Sequence, residues 1–189
     1  MDVLLAALLA CMAAHTARRG QLIALALRLR HERTGMLLCA LALASAANAA
    51  LSVMAAGIIA PEMTGQARWL LIGIALLFGA IALLIRVKPV GARDVSRWGG
   101  PFFSALGAFW AVGFGDSAQF IVLALAAKPG VGFAAFLGGT VGGVIGLSGP
   151  VLMGPTFFSR LPLQMLARLF TALFAGGGML LIWIALAGL

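Results

Sequence analysis

Asp116 is the residue whose type fits its surroundings least. It lies in "GFGDSAQF", residues 113–120, and the run from Phe102 to Ala127 carries no other charge. Ser117 and Gln119 follow it closely. An ionised side chain at the centre of a membrane helix costs about 3 kcal/mol or more unless it is paired or functional. A second polar cluster, "HTARRGQ" at 15–21, supplies His15, Arg18, Arg19 and Gln21. Arg18 and Asp116 can neutralise each other in a charge-assisted pair. Such a pair either bridges two broken helices statically or opens and closes during transport. Arg18 and Arg19 can instead extend to an interface without meeting Asp116. His15, one turn before Arg18, is the side chain type that titrates near neutral pH. It relays a proton or bonds a neighbouring helix. Gln21 and Gln119 hold matching positions after the two clusters, and each offers an amide donor and acceptor to substrate or backbone. Ser45, Asn48 and Ser52 fall on one helical face. That face lines a cavity or joins helices by hydrogen bonds.

The elements that must carry these residues are membrane helices. The chain has 189 residues, 63% hydrophobic and 10% charged, with a mean hydropathy of +1.12. A soluble domain carries roughly 25% charged residues. Apolar segments of about 20 residues recur, the length that crosses a bilayer as helix. No strand-like alternation suggests a barrel. The spans expected are 3–27, 36–60, 67–87, 101–127, 131–153 and 163–186. The first is interrupted at 15–21. Gly149-Pro150 and Gly154-Pro155 are expected to end the fifth span and shape the loop after it. Gly138, Gly142 and Gly146, with Gly139 and Gly143 beside them, form a doubled ladder that lets helix backbones approach closely. Cys11 and Cys39 sit in apolar segments and read as buried free thiols. Trp69, Trp98, Trp110 and Trp183 read mostly as an interfacial belt.

The net charge of +8 reads as a topology signal rather than a nucleic-acid signal. Arg28, Arg30, Arg33, Arg86, Lys88, Arg93, Arg97, Arg160 and Arg168 follow the odd-numbered spans, whereas the other side carries Arg68 and Lys128. The basic side is cytoplasmic by the positive-inside rule, so both termini lie outside. Arginine- and alanine-rich usage suggests a bacterial inner membrane. The halves also align. "RRGQLIALALRLR" (18–30) matches "DSAQFIVLALAAK" (116–128), "LS" at 51–52 matches "LS" at 147–148, and "ARWLLIGIALLFG" (67–79) matches "ARLFTALFAGGGM" (167–179). Two units with an odd number of spans each enter the membrane from opposite sides, the architecture of many secondary transporters. The fold class expected is an all-α integral membrane protein of six transmembrane helices, arranged as two inverted three-helix repeats. These are residues 1–87 and 101–189, joined by a basic cytoplasmic linker at 88–100.

"FWAVGFGDSAQFIVLALAA" (109–127) resembles the signature of the GDT-type divalent-cation/proton antiporters. In that family, two inverted repeats each open with A-E-x-G-D-(K/R)-(T/S)-Q before a Leu/Ala-rich run. The resemblance rests on Gly115, Asp116 and Gln119, and in the first half on Ala14 and Gln21. It implies movement of manganese or calcium against protons, with Asp116 as the surviving metal ligand. The chain departs from the pattern at the other acidic positions, where Gly113, His15 and Arg18 stand, and at Ala17, Arg19, Ser117 and Ala118. The family motif has four acids and two bases. Here Asp116, Arg18 and Arg19 leave a net positive set, whereas a hard divalent cation prefers several anionic oxygen ligands.

Three functions fit these residues. One is a divergent cation/proton antiporter with a degenerate site. Another is a transporter of an anion or organic solute on the same fold. The third is a non-transporting membrane protein held by an Arg18–Asp116 bridge. No P-loop, zinc motif or catalytic triad is present, so no enzyme activity and no bound cofactor are expected. The partners expected are the lipid bilayer and a small ion or solute, with no nucleic acid.

Overall fold

The computed structural model describes residues 1–31, 33–85 and 100–187. The linker expected at 88–100 lies outside these residues up to position 99, and with it Lys88, Arg93, Arg97 and Trp98; Arg86 does too. Every regular element among the described residues is helical. Four helices are long and apolar enough to cross a membrane, and a bent pair makes a fifth span if taken together. In hydrocarbon a chain must satisfy its backbone internally, and the helix does so within one segment.

The first expected span is two helices, α1 (Asp2–Ala14) and α2 (Arg19–Arg30), separated by the polar cluster. α3 (Thr34–Ile59) follows, then a 3-10 turn at Ala60–Glu62 that contains Pro61. α4 (Gly65–Leu84) starts at Thr64, whose Oγ1 accepts from Ala67 N at 3.2 Å. That is an N-cap bond satisfying one orphan amide. α5 (Gly100–Gly113) and α6 (Ser117–Ala126) meet at a 68° bend. α7 (Gly132–Met153), the short α8 (Thr156–Arg160) and α9 (Leu163–Ala187) complete the chain.

The glycine ladder sets the core. A Cβ on Gly138 would strike Leu4 O and Ala7, one on Gly142 would strike Leu8 O and Cys11, and one on Gly146 would crowd His15 and Met12. These contacts climb both helices together, so α1 and α7 run parallel. The second row faces elsewhere, with Gly139 against Val122 and Ala49, and Gly143 against Ser45. α3 therefore runs antiparallel to α7. Gly73 and Gly178 allow α4 and α9 the same close approach.

Two expectations about this core are corrected. α7 does not end at Gly149-Pro150; it continues through Pro150 to Met153. Gly154, at φ +58°, ends it, because glycine alone enters that region without a Cβ penalty. Cys39 is exposed on the outer face of α3, and only Cys11 is buried. The tryptophans divide as well. Trp69 and Trp183 lie near helix ends, but Trp110 stands close to the α5–α6 break, with its carbonyl facing Asn48.

Candidate functional site

The site forms where the two broken helices meet. Arg18 is the residue before α2 and Asp116 the residue before α6, so both occupy N-cap positions. Arg18 Nη2 donates to Asp116 Oδ1 at 3.0 Å. The carboxylate also accepts from Ser117 N at 2.8 Å and from Ser117 Oγ at 3.4 Å. His15 Nδ1 lies 3.6 Å from its other oxygen, Oδ2. The pair is mostly withdrawn from solvent, with side chains 19% and 12% exposed.

Helix electrostatics explain why the arginine leaves its own helix. A helix N-terminus carries about half a positive charge. Asp116 suits that position and Arg18 does not. The Arg18 guanidinium reaches across to Asp116, and its Nη1 donates to Ala82 O. Ala82 O is one of the last four carbonyls of α4, which lack intrahelical donors. Arg18 thus ties three elements together and sits at the negative end of α4. Arg19, the next residue, is exposed and makes none of these contacts.

The two glutamines do the same work in each half. Gln21 Oε1 accepts from Ala17 N at 3.0 Å, and Gln119 Oε1 accepts from Gly115 N at 2.6 Å. Both amides belong to the residue before the N-cap, and both of those residues have positive φ, +54° at Ala17 and +73° at Gly115. Gln21 Nε2 then donates to Gly146 O on α7 at 2.9 Å, and Gln119 Nε2 to Asn48 O on α3 at 3.4 Å. Ala17 and Gly115, Arg18 and Asp116, Gln21 and Gln119, and Asn48 and Gly146 are all separated by the same interval along the chain.

Gly146 O is open to this bond for a covalent reason. Pro150, four residues on, has no N–H to return to it. Sequence reasoning took Pro150 as a terminator and missed its role in freeing an acceptor. The spacing Gly146-x-x-x-Pro150 inside an apolar helix was the available signal. Ala82 O and Cys11 carried no signal in the sequence, because a carbonyl and a lone thiol look alike in any helix.

A cavity of about 40 Å³ lies between the breaks, lined by His15, Ser45, Asn48, Gln119 and Cys11 among others. Asn48 Nδ2 donates to Trp110 O at 3.4 Å, and its buried Oδ1 has no hydrogen-bond partner. Ser52 instead joins helices, donating to Asn48 O and Gln119 O. Gly138, Gly142 and Gly146 are the α1 contact already described. The structure therefore brings His15, Arg18, Gln21, Asn48, Asp116, Ser117 and Gln119 into one region and leaves Arg19 out. Among the described residues no three His, Cys, Asp or Glu side chains gather as a metal site. Asp116 brings one carboxylate, already held by a guanidinium.

Larger cavities flank the pair. One of about 680 Å³ is lined by Ala17, Arg18, Gln164 and Arg168 with apolar walls. Another of about 400 Å³ lies at the α5–α6 break, beside Gly115 and Gln119. Comparison of the chain with protein-family models, with characterised proteins and with solved structures gives no match.

Proposed function

We propose that the chain is a proton-coupled secondary transporter of a small ion or solute in a bacterial inner membrane. It resembles the GDT-type antiporters in architecture, and its cation site is degenerate. The reading counts six spans, with α1–α2 and α5–α6 each one broken span, arranged as two inverted repeats. The observation that carries it is the paired break, with the same glutamine cap, the same positive-φ residue and the same cross-helix acceptor in both halves. Broken helices meeting at a repeat interface are where such transporters bind and couple. Parallel α1 and α7 beside antiparallel α3 fit the orientation read from the Lys/Arg bias. Asp116 is the coupling residue in this reading, with Arg18 as its counter-ion and His15 as the neighbour able to pass it a proton.

The donor set argues against manganese or calcium as cargo. Hard divalent cations take six or more oxygens, several of them anionic. Here one carboxylate faces a guanidinium and two helix N-termini. The test is reconstitution in liposomes with a pH dye inside. Manganese or calcium added outside should leave the dye unchanged, while a transported solute should move it in wild type and not in Asp116→Asn. A manganese- or calcium-driven response that disappears in Asp116→Asn would return the divalent cation as substrate.

One observation favours a second reading, a static bridge. Arg18 links Asp116 to Ala82 O and so fastens α4 to both broken helices. Folded protein that answers no solute, with strong coupling between Arg18→Gln and Asp116→Asn in folded yield, would support that reading over transport.

A further inference from the structure

The large cavity below Arg18 has a chemistry of its own. It is bounded by Ala17, Arg18 and Leu22 from the first break and by the α8–α9 connection and the start of α9. A neighbouring cavity of about 470 Å³ shares Ala17, Gln164 and Arg168 with it and extends to Leu83–Ile85 at the end of α4. Two arginines on different elements, Arg18 and Arg168, therefore line one open space, with Gln164 beside them. No acidic side chain is among the described residues lining either cavity. The remaining wall is apolar, including Phe158, Leu161 and Met165. Two forked cations suit a carboxylate or phosphate, which arginine can hold through two parallel bonds. The apolar wall suits a hydrocarbon body attached to it.

Arg18 makes the site more than a passive pocket. Arg18 lines this cavity, and its guanidinium is the partner of Asp116. An anion drawn to Arg18 competes with Asp116 for the same charge. The groups that face Asp116 are Arg18, His15 and, one turn earlier on α1, the Cys11 thiol, which points at Ala118 O. None of them replaces the positive charge that Arg18 would withdraw unless His15 is protonated.

We propose that this cavity binds an organic anion, a carboxylate or phosphate head on an apolar body, between Arg18 and Arg168. Binding takes Arg18 from Asp116 and leaves the carboxylate to the Ser117 amide and hydroxyl. The inference rests on the transporter reading only for what the binding is used for. The head group can belong to a free solute or to an anionic lipid.

The experiment is calorimetric titration of octanoate into the full chain in phosphatidylcholine nanodiscs. Empty nanodiscs serve as the reference. Saturable binding is expected, weakened at least tenfold in Arg168→Gln and partly recovered in Arg168→Lys. Arg168 is exposed on α9, so its loss leaves the fold intact. Asp116→Asn, which removes the competing carboxylate charge, should tighten octanoate binding severalfold. Heats equal to those of empty nanodiscs, or unchanged by Arg168→Gln, would overturn the site. Octanoate affinity unchanged in Asp116→Asn would overturn the Arg18 exchange. Phosphatidylglycerol added to the nanodiscs separates the sources. Displacement of octanoate identifies a lipid head group, and indifference identifies a free anion. Octanoate binding with no octanoate transport in liposomes would leave the site standing and remove octanoate as cargo, and the transporter reading would then stand or fall on its own solute test.

Discussion

At the scale of single residues, the site depends on amides and backbone as much as on charge. Gln21 is 3% exposed and bonds two backbone groups, Ala17 N and the buried Gly146 O. Leaving a buried polar group without a partner costs about 1–3 kcal/mol. Gln119 makes the equivalent bonds but is only half-buried, and its bond to Asn48 O is longer, 3.4 Å against 2.9 Å for Gln21 to Gly146 O. Gln21→Leu should therefore lower the unfolding midpoint in detergent clearly more than Gln119→Leu; equal losses would contradict the burial difference. Ala17 is the one non-glycine residue at positive φ among those described. An L-residue in that region is strained by about 1 kcal/mol. Ala17→Gly should raise stability, whereas Gly115→Ala should lower it by a similar amount, although open space surrounds Gly115. Thermal unfolding of the two variants measures both signs.

At the scale of elements, two predictions concern α7. Gly142→Ala puts a Cβ against the Leu8 carbonyl and Cys11, and a backbone cannot step aside as a flexible side chain can. Folded yield should fall sharply. Gly176→Ala, on α9 with nothing within reach, should leave yield unchanged. The second prediction tests the freed carbonyl. Pro150→Ala restores an N–H four residues after Gly146, and that amide can satisfy Gly146 O without Gln21. Gln21→Leu should then cost about 1 kcal/mol less in the Pro150→Ala background than in wild type. Additive losses in the double-mutant cycle would mean that Gln21 does not serve the proline gap.

At the scale of the whole molecule, the described residues present an apolar outer surface. Leu43, Met54, Ile58, Ile81, Leu173 and Trp183 are among its exposed side chains. Such a patch on a soluble chain would promote association, and on a bilayer protein it meets lipid. The two basic residues assigned to the outer side are both held locally. Arg68 Nη2 donates to Ala60 O at 2.9 Å, at the end of α3, and Lys128 Nζ sits 4.0 Å above the Trp69 ring. The other loop Lys and Arg residues are assigned to the opposite side from the sequence alone, so orientation is testable by fusion. Alkaline phosphatase attached at either terminus should be active and green fluorescent protein there dark. A fusion within the basic loop between α4 and α5 should give the reverse. A fluorescent terminus would invert the topology and place the Arg18–Arg168 cavity on the outer side.

The sequence by itself determined the membrane class, because apolar runs of this length have one physical use. It also located the chemistry. A charge in an apolar run is costly wherever it falls, so Asp116 and the cluster at 15–21 stood out, and the alignment of the halves set Arg18 opposite Asp116. The ladder at Gly138, Gly142 and Gly146 was legible as packing because spacing alone puts those residues on one helix face. The alignment already singled out Arg18; only the tertiary structure gave it a third partner, Ala82 O at the end of α4, because nothing local marks that carbonyl. It also showed that the Gly146 carbonyl left open by Pro150 is met by a distant donor, Gln21, which no local pattern marks. The cavity shared by Arg18 and Arg168 could not be read from the chain at all. Its walls come from segments far apart in sequence, and only their packing brings two unlinked cations to one space.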